Sequence, residues 1–421
     1  MRRRAFWTCL SVGLTAGLPQ AAPAQIVVAP DYQVSTFASG IQAPEGLAID
    51  AAGNLYVAAT GADEVVKVTP DGTASSFASS CAHPLAFMAT YPTKMAFGQD
   101  GFLYVGAVGA YNNPCNPYGD LYDSLLRISP TGEVSLAAGG DWRPYSFNDI
   151  SGVATAPDGR IFFTDTWGSR SIYVYSPADG TVATWAVYPW PWGTAEPYAA
   201  IFDASGNLIV SFAQWYSPGA VQRFAPDGTV STILEGFSAN AIRFDAHGTL
   251  WLADSGNVYQ LAPDGSLTTF ASGFQGARDL IFDAQGNLYV SESATNSVVK
   301  ISPAALPVAI DVKPGSYPNS INLGSNGDVP VAILSSPTFD ARTVDPATVT
   351  LASAPVALRG QGGLMYSFED VNGDGLPDLV VHLATQALEL SSVDTAAVLE
   401  GRTFGGQLIR GSDSVRVVPL Q

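Results

Sequence analysis

The run Asp370-Val371-Asn372-Gly373-Asp374-Gly375-Leu376-Pro377-Asp378 concentrates more oxygen donors than any other stretch of the chain. Side-chain oxygens at positions 1, 3, 5 and 9, a glycine at position 6 for the sharp turn and a backbone carbonyl at position 7 give the spacing of a loop that wraps a hard divalent cation. Calcium is the expected ion, with Asp370, Asn372, Asp374, Leu376 and Asp378 as its ligands. Position 12 is Val381, so the bidentate glutamate of a helix-loop-helix site is absent and Asp378 is expected to close the shell. An Asx-rich turn without metal is the alternative. A loop held between strands stabilises its module and presents no open site, so the expected role is structural.

Other catalytic arrangements find little support. Of three histidines, His83 falls in a long connection, His247 in a tight turn and His382 far along the chain, which excludes a Ser-His-Asp triad and a zinc cluster. Arg2-Arg3-Arg4, an apolar segment from Ala5 to Leu18 and Ala22-Pro23-Ala24 form the pattern of a secretory signal covering residues 1–24. No later stretch reaches the roughly 18 apolar residues of a membrane span, so the mature chain is expected to be secreted or periplasmic. Removal of the signal takes the formal charge from −18 to −21. Such a surface repels phosphates, so nucleic acid is not an expected partner. Cys81 and Cys115 remain after export. A bridge between them would close about 35 residues and stabilise by roughly 3 to 4 kcal/mol on the chain-entropy argument; two free thiols are the alternative.

The elements that must position such residues repeat. Six turns end in glycine, at Gly53, Gly101, Gly159, Gly206, Gly248 and Gly286, spaced by 48, 58, 47, 42 and 38 residues. Each is preceded by an apolar run and followed by a strand such as Leu55-Tyr56-Val57 or Leu288-Tyr289-Val290. A second turn series, including Pro70-Asp71-Gly72, Pro226-Asp227-Gly228 and Pro263-Asp264-Gly265, gives tight hairpins, so each unit is four antiparallel strands and a parallel sheet is excluded. The period is that of a propeller blade. The sixth unit lacks an outer strand, and Val34-Ser35-Thr36-Phe37-Ala38-Ser39-Gly40 copies Leu267-Thr268-Thr269-Phe270-Ala271-Ser272-Gly273. The expected fold is therefore all-β: a six-bladed propeller over residues 25–305, closed by an N-terminal outer strand, which removes two sheet edges.

The signature Pro44-Glu45-Gly46-Leu47-Ala48-Ile49-Asp50 and its period over about residues 32–304 resemble NHL-repeat proteins and the gluconolactonase, regucalcin and strictosidine synthase-like propellers. In the gluconolactonase-like group a divalent cation sits at the channel mouth, held by residues at the start of inner strands, eight before the turn glycine. Here that position holds Glu45, Thr93, Ser151, Tyr198, Asn240 and Arg278. Glu45 and Asn240 match the family's ligands; Ser151, Tyr198 and Arg278 depart from them. Asn148, Asp149 and Asp279 lie close by, although an offset of one along a strand points a side chain to the opposite face. The resemblance thus implies, as one reading, a metal-dependent hydrolase of a lactone or ester, with a second divalent cation at Glu45, Asn148 and Asn240 and with Asp149 or Asp279 as base.

The other reading is ligand binding. Long insertions fall only in second-to-third loops and connections between units, on the face opposite the tight turns. They are rich in aromatics and amides, and Trp190, Trp192, Trp215 and Tyr216 are the contact candidates for a carbohydrate or another ring-bearing small molecule. After Leu306 the period vanishes, and alternating runs such as Val329-Pro330-Val331-Ala332-Ile333 and Leu379-Val380-Val381 fit a β-sandwich over 306–421. With its calcium loop, that segment resembles a module recurring at the C-terminus of secreted bacterial proteins. The sequence leaves the oligomeric state open.

Overall fold

A computed structural model describes residues 25–79, 91–109, 123–139, 147, 149–166, 169–187, 196–213, 219–360 and 362–418. The expected signal segment, Cys81, Cys115, Asn148, Trp190, Trp192, Trp215 and Tyr216 lie outside them. Among the described residues there is no α-helix, and no helix is long and apolar enough to cross a membrane.

Backbone contacts divide the chain into two units. Of the described residues, the first unit holds those of 25–29, 36–284 and 288–300, and the second those of 30–35, 285–287 and 301–418.

In the first unit the repeat becomes a series of antiparallel meanders. Pro44–Ile49, Leu55–Ala59, Glu64–Val68 and Ala74–Ser79 form one four-stranded sheet, and the pattern recurs in sheets that begin at Tyr91–Phe97, Ile150–Thr155 and Glu196–Phe202. The sheet beginning at Ala241–Phe244 gains a fifth strand, Val27–Val28, beside Leu267–Ser272, which the sequence did not announce. Ala277–Phe282, Leu288–Glu292 and Ser297–Pro303 take Tyr32–Ser39 as their fourth strand, at the position the copied N-terminal motif suggested. Each first strand lies against the first strand of the next sheet, and Ala277–Phe282 lies against Pro44–Ile49.

The turns explain this regularity. In the first, the Gly53 amide donates to the Asp50 carbonyl, Asp50 Oδ1 accepts from the amides of Ala52 and Asn54, and Gly53 adopts a φ of 82° that a side chain would resist. Asp203 repeats the arrangement with Ser205 and Asn207, and Asp245 with His247 and Thr249. The second strands are buried throughout, as in Leu55–Ala59 and Ile161–Asp165, because sheets pack on both of their faces.

The second unit holds two principal sheets around one core. Leu306–Pro307, Leu408–Ser414, Ala396–Thr403, Val344–Leu351 and Ala354–Pro355 form one, while Ile310–Val312, Asp328–Ile333, Asp378–Ala384 and Tyr366–Glu369 form the other. Val331, Ile333, Val349, Leu351, Leu379, Val381 and Leu399 fill the space between them. Alternate residues of each strand supply that core, as expected for sheets with one buried face.

Candidate functional site

The first strands are not regular at their starts. Pairing with the second strand shifts register between Pro44 and Leu47, Pro92 and Met95, Ile150 and Gly152, Pro197 and Ala200, and Ala277 and Leu280. A bulge inserts residues without a cross-strand partner and re-aims their side chains. Glu45, Thr93, Ser151, Tyr198 and Arg278 all fall on these bulges. A hydroxyl of the second strand bridges several of them to the next first strand: Ser291 Oγ accepts from the Asp279 amide (2.8 Å) and donates to the Glu45 carbonyl (2.6 Å). Ser211 does the same between the Ala199 amide and the Ala239 carbonyl, both at 3.0 Å. Gly46 has a steric reason, since a Cβ there would collide with the Thr93 carbonyl and the Lys94 backbone.

The bulges gather charge. Arg278 Nε lies 3.5 Å from Glu45 Oε1 and donates to Ser293 Oγ at 3.2 Å. Its neighbour Asp279 turns inward, is fully buried, and Oδ2 accepts from the Leu47 amide at 3.0 Å and from Arg243 at 3.2 Å. Lys94, 5% exposed, donates from Nζ to the Arg278 carbonyl and stands 3.8 Å from Asp279 Oδ2. Burial pushes the Glu45 carboxyl above its ordinary value, with the charges of Lys94 and Arg278 working against it. The Lys94 ammonium is pushed down by burial and held up by Asp279 and Glu45. Burial, then the charge of Glu45, raises the Tyr198 phenol, which also bonds Arg278. Asn240 Nδ2 donates to Ser255 Oγ and to the Ala277 carbonyl, both at 3.1 Å, which sets it beside the Arg278 bulge.

A second acidic group adjoins this one. Asp123 accepts from the amides of Gly109 (2.7 Å) and Asp149, and burial lifts its carboxyl to about 6. Asp149 has a φ of 72° and takes a 2.7 Å bond from Ser151 Oγ on Oδ1. Arg170 pairs with Glu196 at 3.1 Å.

The structure thus brings Glu45, Asn240, Asp149 and Asp279 into one region, but not as a shell of open oxygens. Asp279, considered from the sequence as a base, is instead committed to a buried network with Arg243, Lys94 and the Leu47 amide. A hard divalent ion wants about six oxygens, whereas the oxygens here face three cationic side chains. Among the described residues no group of three or more His, Cys, Asp or Glu side chains is arranged to hold an ion. Counting eight residues back from each turn glycine passed over Lys94 and reached Asp279 only as a neighbour one residue on. They share the seventh position back, where the other repeats carry Gly46, Gly152, Ala199 and Ala241. Two opposite charges at a position otherwise reserved for glycine and alanine were the available signal.

In the second unit, Asp370 Oδ1 accepts from the amides of Gly373 and Asp374, and Oδ2 accepts from Gly375 at 2.9 Å. Asp374 Oδ1 accepts from Leu376, and Asn372 Nδ2 reaches Asp374 Oδ2 at 3.0 Å. The loop is therefore wound around its first aspartate, with Asp370, Asn372 and Asp374 exposed. Asp378 is fully buried, with Oδ1 accepting from the Ser335 amide (2.7 Å) and Oδ2 from the Val371 amide (2.9 Å). It ties the loop to the sheet. Asp370, Asn372 and Asp374, linked by these bonds, hold their side-chain oxygens at the exposed surface of the loop.

No family profile and no curated protein matches the chain. Among solved structures, a gluconolactonase from Xanthomonas campestris superposes with a TM-score of 0.53 at 16% identity, covering 66% of this chain and 94% of that one. A second protein, described as a putative gluconolactonase, gives 0.51 at 20% identity, covering 65% and 93%. At such identities the likeness is one of fold alone, and the chain shares a propeller fold with these proteins.

Proposed function

We propose that the chain binds a small polar ligand, a carbohydrate or another ring-bearing molecule, where the bulged first strands converge. The observation that carries this reading is the meeting of Glu45, Tyr198 and Arg278 on one set of bulges, with the Asn240 amide beside them on the Ala277 carbonyl and the Arg278 side chain 38% exposed and braced by Glu45 and Ser293. Such a group offers a cationic donor, an acceptor and an amide to hydroxyls and carbonyls, while the loops that flank it in sequence carry Trp190, Trp192, Trp215 and Tyr216 for stacking. In this reading the six sheets are blades of a six-bladed propeller closed by Tyr32–Ser39. Its signal segment directs export to the periplasm or beyond, Cys81 and Cys115 brace the loop face, and calcium at Asp370, Asn372 and Asp374 steadies the C-terminal sandwich.

The metal-dependent hydrolase reading places an ion on Glu45, Asn148 and Asn240, with Asp149 or Asp279 as base. It is not favoured, because Glu45 already faces Arg278, the Asn240 amide is spent on Ser255 and the Ala277 carbonyl, and Asp279 is paired with Arg243 and Lys94.

A glycan array with full-length protein tests the binding reading. We expect Arg278→Ala to weaken the captured glycans by roughly tenfold or more, as for a central contact, and Trp190→Ala/Trp192→Ala to do likewise. Binding that survives both variants unchanged would sink the assignment.

A further inference from the structure

Lys94 is the unusual member of the charged group at the bulged first strands, the mouth of the proposed site. It is nine-tenths buried, and an ammonium has three donors. One goes to the Arg278 carbonyl, and among the described residues Lys94 makes no other hydrogen bond, because Asp279 at 3.8 Å is an ion-pair neighbour only. Two N–H groups of this buried cation therefore have no acceptor among the described residues. A buried charge that leaves donors unmet costs free energy, so the site gains when an acceptor arrives.

The surrounding charges say what cannot arrive. Lys94, Arg243 and Arg278 already face Glu45 and Asp279. A divalent ion held by those two carboxylates would meet three cationic side chains at close range, where like charges repel strongly because water screens them little. The carboxylates attract a cation, and the chain supplies one covalently.

We propose that Lys94 is the built-in cation of this site, that its charge beside Asp279 takes the place of a divalent ion, and that its remaining N–H groups receive an acceptor oxygen of the ligand. Ligand binding at the mouth is then independent of metal. The inference rests on the reading of this mouth as the ligand site, but ion titration tests it without any ligand, so the two fail separately.

The experiment is calorimetric titration of Ca²⁺ and Mn²⁺ into chelator-treated, full-length protein carrying Asp374→Ala, which removes the C-terminal loop as a competing site. No ion should bind more tightly than about 1 mM, the weak end of extracellular calcium sites. Adding Lys94→Met should create one ion site per chain, tighter by roughly tenfold or more and lost again with Glu45→Gln. Lys94→Gln serves as a second replacement if Lys94→Met does not fold, as judged by circular dichroism. An ion bound with Lys94 intact and lost with Glu45→Gln would overturn the proposal. So would the absence of any new site in folded Lys94 variants.

Discussion

Asp279 and Arg278 are adjacent in sequence, yet one is sealed and the other faces solvent. The bulge at Ala277–Leu280 separates their directions, and the Asp279 carboxylate then meets Arg243, Lys94 and two amides, its Oδ1 accepting from Leu280. Breaking up a buried carboxylate so thoroughly paired is strongly destabilising, so Asp279 serves to hold these strands together. Asp123 behaves differently, since burial outweighs its two amide donors and raises the carboxyl from 3.8 to about 6. The folded state therefore holds this proton more tightly than the unfolded chain does. Its contribution to stability is complete below pH 4 and declines as pH rises toward 6, by an upper limit of roughly 3 kcal/mol. Denaturant midpoints measured between pH 4 and 8 should show this decline in the parent and lose it in Asp123→Asn; parallel profiles would refute the assignment.

At the scale of elements, two devices place side chains. In the first unit the hydroxyls of Ser211 and Ser291 stand at one repeat position, the fifth after the turn glycine, and clamp a bulge to the next strand. Thr164, at the same position, donates to the Tyr198 carbonyl at 3.3 Å. In the second unit the loop from Asp370 is wound by amides and anchored through Asp378. An ion binding only the folded loop stabilises by about 2.7 kcal/mol at a hundredfold excess over Kd. Calcium should raise the melting temperature of the chelated protein, and Asp374→Ala should abolish the rise. A chelated protein that melts at the same temperature with and without calcium would remove the ion from the description.

Over the whole molecule, the N-terminal strand matters most. Tyr32–Ser39 covers Ser297–Pro303, and Val27–Val28 covers Leu267–Ser272, so a short segment occupies two sheet edges. Exposed edges template association with other chains. A variant lacking residues 25–40 should melt lower and self-associate in light scattering. If it stays monodisperse with an unchanged melting point, these strands are dispensable.

The turn glycines, the alternation of apolar residues and the copied Phe37 and Phe270 motifs were enough to determine strand type, strand order and the N-terminal contribution, because tight turns and strand pairing are short-range and carry period-specific residues. Glu45 and Asn240 were legible for the same reason, through their fixed distance from a turn. The partners of Asp279 were not legible. Lys94 and Arg243 lie 185 and 36 residues away in sequence, and only the packing of first strand on first strand brings them together. Whether a carboxylate is an open ligand or the buried half of an ion pair depends on which charges the tertiary fold sets beside it. That choice was made by geometry across sheets, where a sequence period has no reach.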